Sequence, residues 1–270
     1  MTNLTILTST YDGESKIRLV KYFEGLKSQS YSDFEIVLCL DGEVRKELYD
    51  VIKSYKKFLK IKVIQNPKSN LSNNLNIGLK QIETKFTVRH DTDDISYPNR
   101  LQIQLDKISS TKAAVVSGNI VEKTNSEKSI KKVPIGWINK YSLFRFFKNP
   151  INHNCCIFET KVVQQFGYPV SRMEDFILWS RLLNSGYRFY NIEMPLLEAD
   201  ALNVDLRRCG ASYREAETKL FKENIQNSGI FLAPIIIISY ALRYILRLEF
   251  CIILLRMALK TSRIRLKKFN

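Results

Sequence analysis

The stretch Phe86-Thr87-Val88-Arg89-His90-Asp91-Thr92-Asp93-Asp94 passes from an apolar strand directly into a turn that carries three carboxylates. Pro98 follows and predicts the start of a helix, because proline suits the first helical turn. Residues 113–116, Ala-Ala-Val-Val, predict the next strand. A strand that ends in acidic residues and precedes a helix indicates an α/β sheet with its ligands at the carboxyl ends of the strands.

The same order occurs upstream of this stretch. The apolar residues 4–7 lead into the polar residues 8–12, and residues 34–40 lead into Asp41-Gly42. Residues 61–64 predict a further strand, and residues 71–82 a helix. This alternation predicts a parallel sheet with crossover helices, in which the polar clusters line one crevice.

The second half of the chain has a weaker pattern. Residues 121–141 are polar and rich in lysine, and predict a loop or a short hairpin. Residues 155–158 and 189–192 predict strands, and residues 174–183 a helix that begins with Glu174-Asp175.

Two acidic elements have alternative interpretations from the residues alone. The 91–94 turn offers the oxygen ligands that Mg²⁺ and Mn²⁺ prefer, but aspartates before Pro98 could also cap a helix. Glu174-Asp175 could supply a general base, but acidic residues also interact well with the dipole at a helix start.

The charge of the chain points to an anionic partner. A net charge of +15 over 270 residues suits nucleotide phosphates, nucleic acid or anionic lipid. Residues 224–270 carry eight basic residues and one acid, Glu249, a net charge of +7 among aliphatic residues. We expect amphipathic helices that lie in a membrane interface, with packing on the core or dimerisation as the alternative. Five cysteines without metal-ligand spacing predict reduced thiols and a cytosolic location.

The order of these motifs closely resembles the family-2 glycosyltransferases, inverting nucleotide-sugar enzymes. The resemblance covers residues 3–200 and includes Asn-Asn-Leu-Asn-x-Gly-Leu, Arg-His-Asp-x-Asp-Asp-x-x-x-Pro-x-Arg-Leu and Glu-Asp-x-x-Leu-Trp. It implies the GT-A fold, a Rossmann-like mixed sheet with flanking helices. We therefore expect a catalytic domain over residues 1–227, with a nucleotide-sugar half at 1–120 and an acceptor half at 121–227. The helical tail would be residues 228–270.

The resemblance also implies roles for individual residues. Tyr11 would stack on uracil, Asp41 would bond the base, and Asp91 would face the ribose and sugar. The expected donor-binding set is Thr8, Tyr11, Asp12, Asp41, Asn73, Asn76, Asp91 and Arg100, where Arg100 supports the acidic turn.

The metal and the chemistry are assigned in the same way. Asp93 would hold Mn²⁺ or Mg²⁺, with Asp91 and Asp94 beside it. His153 would contact the metal or a phosphate, or bond at a strand end. Asp175 would be the base, with Glu174 as its neighbour.

The expected activity is metal-dependent transfer of a sugar from a UDP-sugar to a saccharide on undecaprenyl diphosphate, with galactose as the leading candidate. This would form a β-linkage in bacterial O-antigen or capsule synthesis, at the cytoplasmic face of the inner membrane, without a nucleic acid partner. One alternative is a sugar-phosphate nucleotidyltransferase, which would usually carry a basic Gly-rich loop near its start. The other is a non-catalytic basic protein that binds membrane or nucleic acid, which would have no use for Glu174-Asp175. An aromatic and basic cluster between Trp137 and Lys148 could stack on nucleic acid, or pack over the acceptor site.

Overall fold

A computed structural model describes residues 3–124, 127–200 and 210–245. Cys209, Cys251, Glu249 and most of the predicted tail lie outside these residues. Cys39, Cys155 and Cys156 are described; all three are free thiols, as predicted, and all three are buried.

The first half of the chain follows the predicted alternation of strands and helices. The elements are β1 (Leu4–Tyr11), α1 (Lys16–Lys27), β2 (Phe34–Asp41), α2 (Lys46–Tyr55), β3 (Ile61–Asn66), α3 (Leu71–Leu79), β4 (Phe86–Arg89), β5 (Ile95–Ser96), α4 (Arg100–Thr111) and β6 (Val115–Lys123).

The second half contains several short elements. They are β7 (Lys128–Lys131), β8 (Gly136–Ile138), two 3-10 turns (Leu143–Phe146 and His153–Cys155), β9 (Ile157–Glu159), α5 (Thr160–Phe166), α6 (Glu174–Asn184), β10 (Phe189–Asp200) and α7 (Ala211–Asn227). The strands β6 and β7 form the hairpin that was one of the two predictions for this region.

The described strands form one mixed sheet in the order β3-β2-β1-β4-β9-β6-β10-β5. The pairs among β1, β2, β3 and β4 are parallel, as the alternation predicted. The strand β9 lies antiparallel between β4 and β6, which the alternation of strands and helices did not predict. The mixed sheet implied by the family resemblance is therefore confirmed.

β10 continues eight residues beyond the predicted end at Ile192. Its register against β6 shifts on both sides of Pro195. Proline cannot donate to a strand ladder and is confined to edges and bulges, which explains why periodicity alone ended this strand early.

The core lies on both faces of the sheet. One cluster packs α1, α2 and α4 on one face, and another packs α3, α5 and α6 on the other. Gly78 lets α3 approach the sheet closely: a methyl group there would lie 2.5 Å from Cys39 Sγ and 2.7 Å from Leu7 Cδ1.

The first part of the predicted tail packs on α6 and α7. Residues 233–245 are helical, and the Tyr240 ring stacks on Phe221 of α7 at 4.5 Å. The Arg243 guanidinium lies 5.6 Å from the Phe176 ring of α6. Within the described ranges, no helix combines the length and the apolar character needed to span a bilayer.

Candidate active site

The acidic turn after β4 gathers three carboxylates at the carboxyl edge of the sheet. Oxygens of Asp91, Asp93 and Asp94 all lie within 4.8 Å of one another. Burial and repulsion from Asp91 and Glu14 raise the pKa of Asp93 to about 6. Burial, with repulsion from its two neighbours, raises the pKa of Asp94 well above its usual value. Carboxylates that disfavour each other's charge in this way are stabilised by a bound cation.

These residues fit a hard divalent cation. The donor set is all oxygen, and such cations take one or two carboxylates together with substrate phosphates. The cluster therefore supports a site for Mn²⁺ or Mg²⁺, although it does not distinguish between the two ions.

Arg100, which the resemblance assigned to the support of this turn, lies next to it. Its side chain is buried, and it donates to Ser96 Oγ at 3.0 Å and to the backbone oxygen of Arg89 at 2.8 Å. Asn154 donates to Asp94 at 2.5 Å. Arg100 therefore holds the residues on both sides of the turn in place, and its expected contact with the donor stays a prediction.

The residues expected at the nucleotide end lie together. Tyr11 and Asp41 are paired in register at the ends of the parallel strands β1 and β2. The Tyr11 side chain is 56% exposed, so its ring is available for stacking. The Asp41 carboxylate accepts from the Ser69 N–H at 2.7 Å. Asp12 accepts from the Arg45 N–H at 2.7 Å, which joins the first loop to the start of α2. Thr8 is buried behind them.

The asparagines of α3 divide into different environments. Asn73 is exposed. Asn76 donates to the Tyr168 backbone oxygen at 2.8 Å and accepts from the Tyr168 N–H at 2.7 Å. These bonds join α3 to the segment that precedes α6, and the expected place of Asn76 beneath the donor stays a prediction. The buried Asn74 bonds Ser9 and Asn66, and so links the ends of β1 and β3.

Glu14 belongs to the site, although sequence reasoning did not select it. Its buried carboxylate accepts from Thr92 Oγ1 and from the Ser15 N–H, both at 2.7 Å. Glu14 therefore joins the first loop to the acidic turn. A Gly-Glu-Ser sequence in a polar loop carries no local signal for such a contact.

Glu174 and Asp175 open α6, in the first-turn position where acids also favour the helix dipole. Asp175 accepts from Asn149 Nδ2 and from the Phe176 N–H, both at 2.7 Å. Burial, followed by repulsion from Asp175, raises the pKa of Glu174 to about 7, and Asp91 adds to this shift. A carboxylate with a pKa near neutrality is suited to proton transfer.

Residues 149–154 connect the two acidic elements. Asn149, at one end of this segment, bonds Asp175, and Asn154, at the other end, bonds Asp94. The charge of Asp91 also acts on Glu174. The prediction that both elements meet at one site is therefore supported by hydrogen bonds and by electrostatics.

The two histidines have different surroundings. His90 is buried and bonds Ser96 Oγ at 2.8 Å, a structural position. The His153 ring packs against Tyr168 and Trp179, with centroids 5.5 and 5.7 Å away. Burial, followed by the charge of Arg89, lowers the pKa of His153 well below its usual value. His153 is not part of the carboxylate group formed by Asp91, Asp93 and Asp94.

Two members of the aromatic and basic cluster contact other parts of the fold, and packing of the cluster over the acceptor site stays a prediction. Trp137 stacks edge-on against Tyr190 at the outer edge of the sheet. Arg145 is buried and bonds Asn184 and Ser228 at the carboxyl end of α6, about 15 Å along the helix from its start.

The model of the family described as "Glycosyl transferase family 2" matches residues 5–166, more than half of the chain. The chain belongs to this family. It is a glycosyltransferase, which confirms the resemblance noted in the sequence.

Two relatives align along most of their length. The amylovoran biosynthesis glycosyltransferase AmsE of Erwinia amylovora is 30% identical over 224 residues, 81% of this chain and 84% of AmsE. The UDP-Gal:alpha-D-GlcNAc-diphosphoundecaprenol beta-1,3-galactosyltransferase of Escherichia coli is 28% identical over 225 residues, 80% of each chain.

The fold also matches a solved structure. S. aureus TarS 1–349, in complex with UDP-GlcNAc, superposes with a TM-score of 0.69 at 16% sequence identity, over 84% of this chain and 68% of TarS 1–349. The family-2 glycosyltransferase therefore has the GT-A fold that the resemblance implied.

Proposed function

We propose that this glycosyltransferase transfers a hexose from a UDP-sugar to a saccharide on undecaprenyl diphosphate, with inversion at the anomeric carbon. Galactose is the leading candidate for the hexose. The single observation that carries this proposal is the 149–154 segment. It hydrogen-bonds Asp175 of the Glu174-Asp175 pair at one end and Asp94 of the acidic turn at the other. A direct displacement needs both elements at one reacting carbon, one for the leaving diphosphate and one for the incoming hydroxyl.

The donor would lie along the carboxyl edge of the sheet. Tyr11 would stack on the base, and Asp41 would bond it from the neighbouring strand. Asp91 and Asp93 would hold Mn²⁺ or Mg²⁺, which when bound supplies positive charge to the leaving diphosphate. The relative from E. coli, whose name includes UDP-Gal, and the UDP-GlcNAc complex of TarS support a UDP-sugar as donor.

Asp175 would take the proton from the acceptor hydroxyl. The hydroxyl oxygen then forms a bond to the anomeric carbon as the bond from that carbon to the diphosphate oxygen breaks, and UDP leaves. Asn149 orients the Asp175 carboxylate through its 2.7 Å bond. One displacement converts an α-linked donor into a β-linked product.

The acceptor and the location rest on the relative's name and on the tail. Residues 233–245 turn Tyr240 and Arg243 towards α7 and α6, while Ile237, Ile238 and Leu242 remain exposed. Phe231, just before this helix, is 94% exposed. An apolar face next to basic residues is typical of helices that lie on an anionic membrane. We therefore propose peripheral binding at the cytoplasmic face of the inner membrane, for synthesis of O-antigen or a related polysaccharide.

The test is a donor and acceptor screen. The protein is incubated with UDP-Gal, UDP-Glc or UDP-GlcNAc, with Mn²⁺ and a synthetic GlcNAc-diphosphate-lipid, and the lipid product is analysed by mass spectrometry. We expect one donor to add one hexose to the lipid, and a chelator to abolish the product. A parallel incubation contains soluble GlcNAc in place of the lipid. A product on soluble GlcNAc but none on the lipid would refute the acceptor, and no product from any UDP-sugar with either acceptor would refute the donor.

A further inference from the structure

Arg89 is a fully buried cation directly before the acidic turn. It is the last residue of β4 and has 0% relative exposure. Its guanidinium donates to the carboxylate of Asp91 and to the backbone oxygen of His90. Burying a charge is costly unless it is paired, so the Asp91 contact is the main compensation for this position.

The charge of Arg89 also acts on the other acidic element. It lowers the pKa of Glu174 at the start of α6, against the effects of burial and of Asp175. It acts in the same direction on Tyr168, in the segment that precedes α6. Arg89 is also joined to the second element by geometry, because its backbone N–H donates to the Cys156 backbone oxygen at 2.8 Å, just after the 149–154 segment that bonds Asp175.

The other buried arginines of the described residues are placed differently. The Arg100 guanidinium donates hydrogen bonds to Gln104, to Ser96 and to two backbone oxygens. Arg145 donates hydrogen bonds to Asn184, the last residue of α6, and to Ser228, which follows α7. Arg145 is therefore a matched control, because it is buried but distant from the reacting groups.

We propose that Arg89 is a positioning residue that fixes the Asp91 carboxylate and couples the metal-binding turn to the Glu174-Asp175 pair, so that both adopt their reactive arrangement together. This inference rests on the proposed function. Because Arg89 is fully buried, it would act through Asp91 and not by contact with the substrate. The planar guanidinium group sets the orientation of the Asp91 carboxylate, and its positive charge offsets the repulsion between Glu174 and Asp175.

A double-mutant cycle tests this coupling. Arg89→Met, Glu174→Gln and the double variant are compared in kcat and KM for sugar transfer, together with melting temperature. We expect Arg89→Met to lower kcat about 100-fold. If the two residues are coupled, the fall in kcat of the double variant should be smaller, by about tenfold or more, than the product of the two single falls. Because Asp91 loses its orientation, Mn²⁺ binding in the presence of UDP, followed by electron paramagnetic resonance, should also weaken in Arg89→Met.

The control cycle replaces Arg89→Met with Arg145→Met. Arg145→Met should lower the melting temperature but leave kcat within about threefold of wild type, and its losses should multiply with those of Glu174→Gln. If Arg89→Met does not fold, Arg89→Lys replaces it in the double-mutant cycle. Lysine keeps the positive charge but lacks the planar guanidinium group that orients Asp91.

Losses that simply multiply in the Arg89 cycle, or an Arg89 variant with wild-type kcat and Mn²⁺ binding, would overturn the inference. That result is distinct from a failure of the proposed function. In the first case the wild-type protein still transfers sugar, and in the second it gives no product.

Discussion

Asn76 provides a sharp test of the structure against the role implied by family resemblance. Resemblance places this side chain beneath the donor, but in the structure it makes two hydrogen bonds, of 2.7 and 2.8 Å, to the backbone of Tyr168. Each such bond contributes about 1 kcal/mol net, and leaving buried partners unsatisfied adds to the loss. We expect Asn76→Ala to cost about 2–3 kcal/mol of unfolding free energy.

For a domain of this size, that loss lowers the melting temperature by roughly 5–10 °C, because 1 kcal/mol shifts it by about 2–4 °C. Thermal unfolding measures this change, and calorimetry measures UDP affinity, which should stay within about twofold of wild type after Asn76→Ala. Asn73→Ala is the matched control, since Asn73 is exposed on the same helix and should leave the melting temperature unchanged. An Asn76→Ala protein that melts normally but binds UDP weakly would refute the structural role of Asn76 as a link between α3 and Tyr168.

Three further results are expected. Asp93→Ala should reduce turnover by about 100-fold or more, since metal charge stabilisation supplies several kcal/mol, and rate assays over a range of Mn²⁺ concentrations should show no recovery. Asp175→Asn should abolish transfer and leave the Kd for UDP nearly unchanged by calorimetry; full activity would exclude Asp175 as the base. Because the pKa of Glu174 is raised to about 7, transfer should fall as the pH drops through this value and Glu174 becomes protonated. Glu174→Gln should remove that limb of the pH–rate profile.

The sequence was sufficient to predict the first half of the fold. Apolar runs followed by polar turns predicted β1, β2 and β4 with the acidic turn at the sheet edge, because both signals are local. The position of β9 was not predictable in the same way. Its three residues pair antiparallel with β4 and β6, which are separated from it along the chain, and nothing within so short a run encodes its neighbours.

The site was predicted in its charged residues more than in the groups that hold them. Asp91, Asp93 and Asp175 belong to motifs with fixed spacing. Glu14 and Asn149 act through single contacts across the fold, to Thr92 and Asp175, and their local sequences resemble ordinary loops. Residues of this kind become visible only when the partner's position is known.

The close approach of α3 at Gly78 has a practical consequence. A methyl group there would press on Cys39 and Leu7, in the strands that carry Asp41 and Tyr11 at their ends. Since the substitution leaves every reacting group unchanged, Gly78→Ala should produce a conditional enzyme, active in the cold and lost on warming. Such an allele would allow polysaccharide assembly to be stopped in growing cells by a shift of temperature, without removing the protein.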